Sequence, residues 1–249
     1  MLTGRVAIVT GGGQGVGRGI ALALASEGAR LVLAGRTEET LRATAEEIAG
    51  RGTEAIPVVC DVGHRDQVDA MVAAAVERFG GVDILVNNAQ TVRTGRVMDI
   101  TPGDVDLVWR SGFVGTLNCM QAAYEHLRSR AGVVVNVGTA AALRPDPAGY
   151  GLYSAVKEGI RTLTRAAAVE WGPEVRVNCI IPLALSPSLD RWITDRPEES
   201  AKFIATVPMG RVGDCELDIG RVVAFLVGEQ ASYITGVTLT VDGGQAYLR

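Results

Sequence analysis

Short apolar segments alternate with longer helical patterns along almost the whole chain of 249 residues. The apolar segments lie at 6–10, 30–34, 54–59, 84–86, 133–137, 176–180 and 238–241, and the helical patterns near 16–28, 38–51, 65–79, 102–130, 153–172 and 216–228. This alternation predicts an α/β fold, with a mainly parallel sheet of seven strands and helices on both faces. Ligands of such doubly wound folds bind at the carboxyl ends of the strands, where the strand order reverses.

Charge and hydrophobicity exclude two classes of partner. The net charge is −4, so the chain has no general attraction to nucleic acid. No apolar run approaches the roughly 18 residues that a membrane-spanning helix needs. We therefore expect a cytoplasmic protein with no nucleic-acid or membrane partner.

The cysteines and histidines do not form a metal or disulfide pattern. They are widely separated and include no Cys-x-x-Cys or His-x-x-x-His spacing: Cys60, Cys119, Cys179, Cys215, His64 and His126. We expect reduced thiols, histidines at the surface and no metal site.

A glycine-rich turn follows the first apolar segment. Val6-Ala7-Ile8-Val9 reads as a buried strand, and Thr10-Gly11-Gly12-Gly13-Gln14-Gly15-Val16-Gly17 leads from it into a helical pattern. Glycines let the backbone approach a pyrophosphate closely, and the free N–H groups of a helix N-terminus favour its negative charge. The turn has the spacing Thr-Gly-x-x-x-Gly-x-Gly, and it predicts a nucleotide site.

Tyr153 and Lys157 are spaced at i and i+4, so both side chains leave the same face of a helix. A nearby ammonium group favours the phenolate form of a tyrosine. The pair can therefore perform acid/base chemistry on a hydroxyl or a ketone.

The chain resembles the short-chain dehydrogenase/reductase family, particularly its 3-oxoacyl-[acyl-carrier-protein] reductase-like members. The resemblance rests on the two motifs above and on Asp61-Val62, Asn87-Asn88-Ala89, Arg176-Val177-Asn178, Ile234-Thr235-Gly236 and Val241-Asp242-Gly243-Gly244. It implies a single Rossmann-type domain over residues 1–249 that binds a dinucleotide and catalyses a redox reaction. It also implies assembly into a homotetramer.

The resemblance assigns roles to particular residues. Tyr153 would be the general acid in reduction and the base in oxidation, Lys157 would lower its pKa and bind the nicotinamide ribose, and Thr139 would replace the usual serine. The residues implied in cofactor binding are Gly11, Gly13, Gln14, Gly15, Val16, Gly17, Arg36, Asp61, Val62, Asn88, Ala89, Tyr153, Lys157 and Pro182.

The end of the second strand favours NADP(H) over NAD(H). Gly35 stands where NAD-selective relatives usually place aspartate, and the guanidinium of Arg36 can bind a 2′-phosphate. Glu38 and Glu39 could instead approach the ribose or simply start the next helix, where the helix dipole favours acids. Gln14 occupies a position where the family often has a second basic residue.

Three departures from the family pattern surround the nicotinamide site. Gly112 stands on the long helix, where the family has an asparagine. In the family, that asparagine supports a water that links the lysine to solvent. Gln90 and Leu183 replace two glycines. We expect Gln90 and Leu183, with Trp192, to shape the substrate pocket, unless the loops shift outward without functional effect.

Residues 181–215 form the longest irregular stretch, and four prolines lie within it. The resemblance implies a mobile substrate lid there. Its apolar side chains either enclose a substrate or pack on the core.

The leading hypothesis is an oxidoreductase that transfers a hydride between NADP(H) and a small-molecule carbonyl or secondary alcohol. The alternative is a nucleotide-binding protein of the same fold with a regulatory, non-redox role. That alternative draws on the changes at Gln90, Gly112 and Leu183.

Overall fold

The computed structural model describes residues 1–144 and 148–246, which contain one seven-stranded sheet. Its strands are β1 (Val6–Thr10), β2 (Arg30–Gly35), β3 (Ala55–Val59), β4 (Ile84–Asn87), β5 (Val133–Val137), β6 (Arg176–Pro182) and β7 (Thr238–Val241). The strand order is β3-β2-β1-β4-β5-β6-β7, and all neighbouring strands are parallel. The predicted α/β fold is confirmed.

Helices cover both faces of the sheet. They are α1 (Gly15–Ser26), α2 (Glu38–Ala49), α3 (Arg65–Phe79), α4 (Pro102–Trp109), α5 (Gly115–Ser129), α6 (Gly151–Trp171), α7 (Pro187–Asp195), α8 (Pro197–Ile204) and α9 (Arg221–Val227). In the described residues, no helix is long and apolar enough to cross a membrane.

The two faces of the sheet bury separate hydrophobic cores. Ala7 and Val9 pack in one core with α1, α2 and α9, whereas Val6 and Ile8 pack in the other with α3, α5 and α6. Successive side chains of a strand point to opposite faces, so a strand buried on both sides must be apolar throughout. This explains the unbroken apolar run at β1.

The pattern over 102–130 forms one long helical stretch with a widened turn in the middle. A capping box joins Thr101 and Asp104, with Pro102 as the first helical residue of α4. Between α4 and α5, Arg110–Val114 form a π-helical segment that contains Gly112.

The prediction that residues 181–215 are irregular is wrong, because the helices α7 and α8 lie within this stretch. Ser186 caps α7 by accepting a hydrogen bond from the N–H of Leu189, and Pro187 is the first residue of that helix. Pro197 likewise begins α8. Proline is favoured at the first helical position because its missing N–H would be unpaired there anyway, so these prolines start helices instead of preventing them.

The four cysteines are free thiols, as expected. Burial raises the pKa of Cys60 and Cys179 to about 11. These thiols are therefore protonated at neutral pH.

Candidate active site

A cleft of about 400 Å³ lies at the carboxyl ends of the strands, where β1 and β4 lie side by side. This is the reversal point of the sheet, because the chain builds outward to β3 from one strand and to β7 from the other. The cleft is lined by Gly11, Gly13, Gln14, Gly15, Val16, Arg36, Asp61, Val62, Asn88, Ala89, Gln90, Tyr153 and Lys157, among others. Most of the residues singled out from the sequence thus converge on one site.

The glycine turn brings backbone to the floor of this cleft. Gly11 and Gly15 have φ angles of +67° and +52°, which favour glycine. At Gly17 a Cβ atom would overlap the carbonyl oxygen of Gly11, so a larger residue would force the turn apart. Within the described chain, no side chain caps the N-terminus of α1. Its first N–H groups therefore remain available to an anion.

Thr10 fastens the glycine turn to the loop after β4. Its Oγ1 accepts hydrogen bonds from the N–H groups of Asn88, at 3.0 Å, and Ala89, at 3.1 Å. The side-chain amide of Asn88 donates to the carbonyl oxygen of Thr10, at 3.0 Å. These bonds give Thr10 and Asn88 a positioning role, and Thr10 was not identified as a site residue from the sequence.

Tyr153 and Lys157 lie one turn apart on α6, as their spacing predicts. The Oγ1 of Thr139 accepts a hydrogen bond from the N–H of Ala141 at 3.3 Å, and this hydroxyl is close enough to Tyr153 to lower the pKa of the phenol. Lys157 is only 2% exposed, and its Nζ donates to the carbonyl oxygen of Val137 at 2.7 Å. The same Nζ lies 5.7 Å from the centre of the Tyr153 ring. The side chains of Tyr153, Lys157 and Thr139 therefore form one cluster.

The pKa of Tyr153 shifts in the opposite direction from the one expected. Burial raises it to about 12 and outweighs the lowering effect of the Thr139 hydroxyl. Burial also lowers the pKa of Lys157 to about 8. Desolvation penalises the charged form of each group, so Tyr153 is a protonated phenol at neutral pH. A protonated phenol can donate a proton to a developing alkoxide.

The far end of the cleft carries the exposed side chain of Arg36. Glu38 stands in the first turn of α2 and accepts a hydrogen bond from Nε of Arg42 at 2.9 Å. Glu38 was expected either to approach the ribose or to start α2, and this contact agrees with the second interpretation. Asp61 accepts a hydrogen bond from the N–H of Gly63 at 3.0 Å, which fixes its carboxylate at the cleft wall.

Several predicted site residues do not line the cleft. They are Gly17, Thr139, Pro182, Leu183 and Trp192. Pro182 ends β6, and the N–H of Leu183 continues the ladder by donating to Val241. Trp192 packs edge-on against Phe203 of α8, with ring centres 5.7 Å apart. In the segment 181–215, Trp192 thus packs within the helical pair instead of facing the cleft.

Other cleft residues were missed. Ser186, Pro187, Ser188 and Arg191 at the start of α7 reach the glycine turn, and an added Cβ at Gly15 would lie 3.3 Å from Cδ of Pro187. The sequence signal was the Ser-Pro pair, which marks a helix start directly after β6.

Comparison with known proteins gives the chain clear relatives. The family model described as enoyl-(acyl carrier protein) reductase matches residues 11–246. A 12α-hydroxysteroid dehydrogenase from a Clostridium species is 41% identical over 250 residues, covering 97% of this chain and 96% of the relative.

Two solved structures are similar over nearly their whole length. The 3-ketoacyl-(acyl-carrier-protein) reductase from Brucella melitensis, complexed with NADH, has a TM-score of 0.89 at 32% identity, covering 99% of this chain and 100% of its own. A blue fluorescent protein from a metagenomic library, in complex with NADPH, has a TM-score of 0.90 at 30% identity, covering 99% of each chain.

Proposed function

The chain belongs to the short-chain dehydrogenase/reductase family of oxidoreductases, and from this premise we propose that it transfers a hydride between NADP(H) and a carbonyl or secondary alcohol, with Tyr153 as the general acid and base. The observation that carries the proposal is the position of Tyr153. Its side chain lines the same cleft as the glycine turn, and the hydroxyl of Thr139 lies beside it.

The residues of the cleft fit a nicotinamide dinucleotide. The uncapped N-terminus of α1 suits a pyrophosphate, and the tight packing at Gly17 keeps the turn close to α1. Arg36 and Lys157 both line the cleft, so one site offers a group for the adenosine end of the cofactor and a group for its reactive end. When bound, the cofactor supplies or accepts the hydride.

The catalytic cluster handles the proton. In reduction, the Tyr153 hydroxyl donates its proton to the substrate oxygen, and the Thr139 hydroxyl orients that phenol. Lys157 holds a positive charge beneath the ring, because its pKa of about 8 keeps it mostly protonated at neutral pH. This charge and the Tyr153 hydroxyl stabilise the developing oxyanion, an effect worth several kcal/mol in comparable sites.

The preference for NADP(H) is supported by charge. Arg36 offers a guanidinium at the cleft, whereas Glu38 is engaged by Arg42 on α2. Glu38 thus already has a cationic partner on its own helix. The similar solved structures contain NADH in one case and NADPH in the other, so the assignment to this chain rests on Arg36.

Assembly into a homotetramer is supported by apolar side chains at the surface. Val169 on α6 is 84% exposed, and Trp109 on α4, Phe225 on α9 and Leu239 on the edge strand β7 are also exposed. Association of copies would cover these groups. Light scattering should give four chains per particle, and a monomer would contradict this assembly.

A panel of ketones and alcohols, assayed with both cofactors at the nicotinamide absorbance band, tests the function. It should include a 12α-hydroxysteroid, a 3-oxoacyl thioester, a cyclic ketone and a sugar derivative. We expect NADPH-dependent reduction of at least one carbonyl. Binding of NADPH without turnover across the panel would favour the regulatory alternative.

A further inference from the structure

The side chain of Gln90 lies across the long helical stretch that runs from α4 to α5. Its Nε2 donates to the carbonyl oxygens of Thr91, at 2.9 Å, and Val108, at 3.1 Å. Reversing the amide would place Oε1 against both of these acceptors, so its orientation is fixed. Ser111 adds a second link, since its Oγ accepts from the N–H of Thr91 at 3.1 Å and donates to the carbonyl oxygen of Leu107 at 2.9 Å.

Gln90 and Gly112 fit each other. A Cβ atom added at Gly112 would overlap both Oε1 of Gln90 and Cγ1 of Val156. The amide of Gln90 therefore occupies the space that a side chain at position 112 would need. A glycine inside a helix is ordinarily unfavourable, and this close approach gives the physical reason for it here.

This contact joins three parts of the site. Gln90 belongs to the loop after β4, Gly112 to the π-helical segment of the long helix, and Val156 to α6. Val156 is fully buried and directly precedes Lys157, one turn from Tyr153 on the same helix. Gln90 and Val156 therefore flank the same point beside Gly112, and Val156 belongs to the helix that carries the proton-handling pair.

We infer that Gln90 is a positioning residue whose amide, seated on Gly112, sets the spacing between the loop after β4 and α6 and so places Tyr153 and Lys157 at the cleft. Oε1 is buried and has no donor among residues 1–144 and 148–246, so packing holds that end while Nε2 anchors the other. The role rests on the proposed function, because its purpose is to align the acid/base pair.

An exchange of the two residues tests the inference. Four proteins are compared: the unmodified chain, Gln90→Gly, Gly112→Asn, and the double variant. In the double variant, the amide group between the loop and the helix is carried by position 112 instead of position 90. We expect each single change to lower kcat at least tenfold while the Kd for NADPH changes less than threefold. The double variant removes the overlap with Oε1 of Gln90 but keeps the one with Cγ1 of Val156, so its kcat should recover at least threefold above that of Gly112→Asn without reaching that of the unmodified protein.

Two Gln→Met variants, one at the site and one at an exposed control position, distinguish the effect of the amide group of Gln90 from the effect of its side-chain volume. Gln90→Met keeps the length of the side chain but removes its donor, and we expect at least a tenfold loss in kcat with little change in KM for NADPH. Gln121→Met makes the same exchange at an exposed position on α5 and should leave kcat unchanged. Multiplying losses in the double variant, or full activity of Gln90→Met, would overturn the inference.

Failure of the proposed function would be recognised separately. If the unmodified protein reduces no carbonyl, the thermal midpoints of the four proteins still test the contact. A double variant with a midpoint above that of Gly112→Asn supports the fitted pair. Additive lowering of the midpoints overturns it.

Discussion

Replacing the buried Lys157 by methionine should change how stability depends on pH. Burial lowers the pKa of this ammonium group from 10.5 to about 8. Below pH 8 the lysine is protonated in both folded and unfolded chains, and the full cost of burying the charge is present. Between pH 8 and 10.5 the unfolded chain binds the proton more tightly than the folded protein, so this group makes stability rise with pH. Above 10.5 the contribution is constant.

The size of the effect follows from the two pKa values. Their difference corresponds to on the order of 3 kcal/mol of burial cost at pH 7. Lys157→Met removes that cost but also loses the hydrogen bond to Val137, worth about 1 kcal/mol. The variant should therefore be more stable by about 2 kcal/mol at pH 7, and less stable by about 1 kcal/mol near pH 10.5.

Urea unfolding at several pH values between 7 and 10.5 measures this difference. Lys202→Met, at an exposed position on α8, serves as the matched control and should follow the unmodified protein throughout. Parallel stability curves for the Lys157→Met variant and the unmodified protein would refute the reasoning, because they would mean that burial does not perturb the lysine.

Three further tests probe the cofactor end, the catalytic cluster and the fold. Arg36→Ala should reduce the ratio of NADPH to NADH specificity in kcat/KM at least tenfold, while Arg78→Ala on α3, at an exposed ion pair with Glu54, should not; tighter binding of NADH than NADPH by the unmodified protein would overturn the cofactor assignment. Thr139→Val should lower kcat about 100-fold because the hydroxyl beside Tyr153 is lost, and Thr139→Ser should retain most activity; equal rates for the two variants would exclude a role for the hydroxyl. Thr101→Ala removes the capping box of α4 and should cost about 1 kcal/mol in urea unfolding, a loss that would be absent if the cap were not formed in solution.

The fold could be predicted closely because its signals are local. Each strand of the sheet is a short apolar run, and the bounds of β1, β5 and β7 agree with the sequence pattern. The glycine turn and the shared helix face of Tyr153 and Lys157 could also be predicted, because each depends on residues that are close in sequence.

What the sequence did not reveal depends on contacts between distant residues. Gln90 and Gly112 are 22 positions apart, and nothing in the sequence shows that the side chain of one occupies the space beside the other. The raised pKa of Tyr153 could not be predicted, because a helix face shows which groups are neighbours but not how much solvent they lose. The helices α7 and α8 were missed because their prolines were interpreted without regard to helix starts.

Single-turnover reduction by the Tyr153→Phe variant tests the central claim most directly. The variant keeps the aromatic ring but lacks the proton that the cluster is proposed to deliver. With a carbonyl that the unmodified protein reduces, we expect the rate of NADPH oxidation to fall by at least about 100-fold while the Kd for NADPH stays within about threefold. A Tyr153→Phe variant with full activity would contradict the assignment of Tyr153 as the general acid and base.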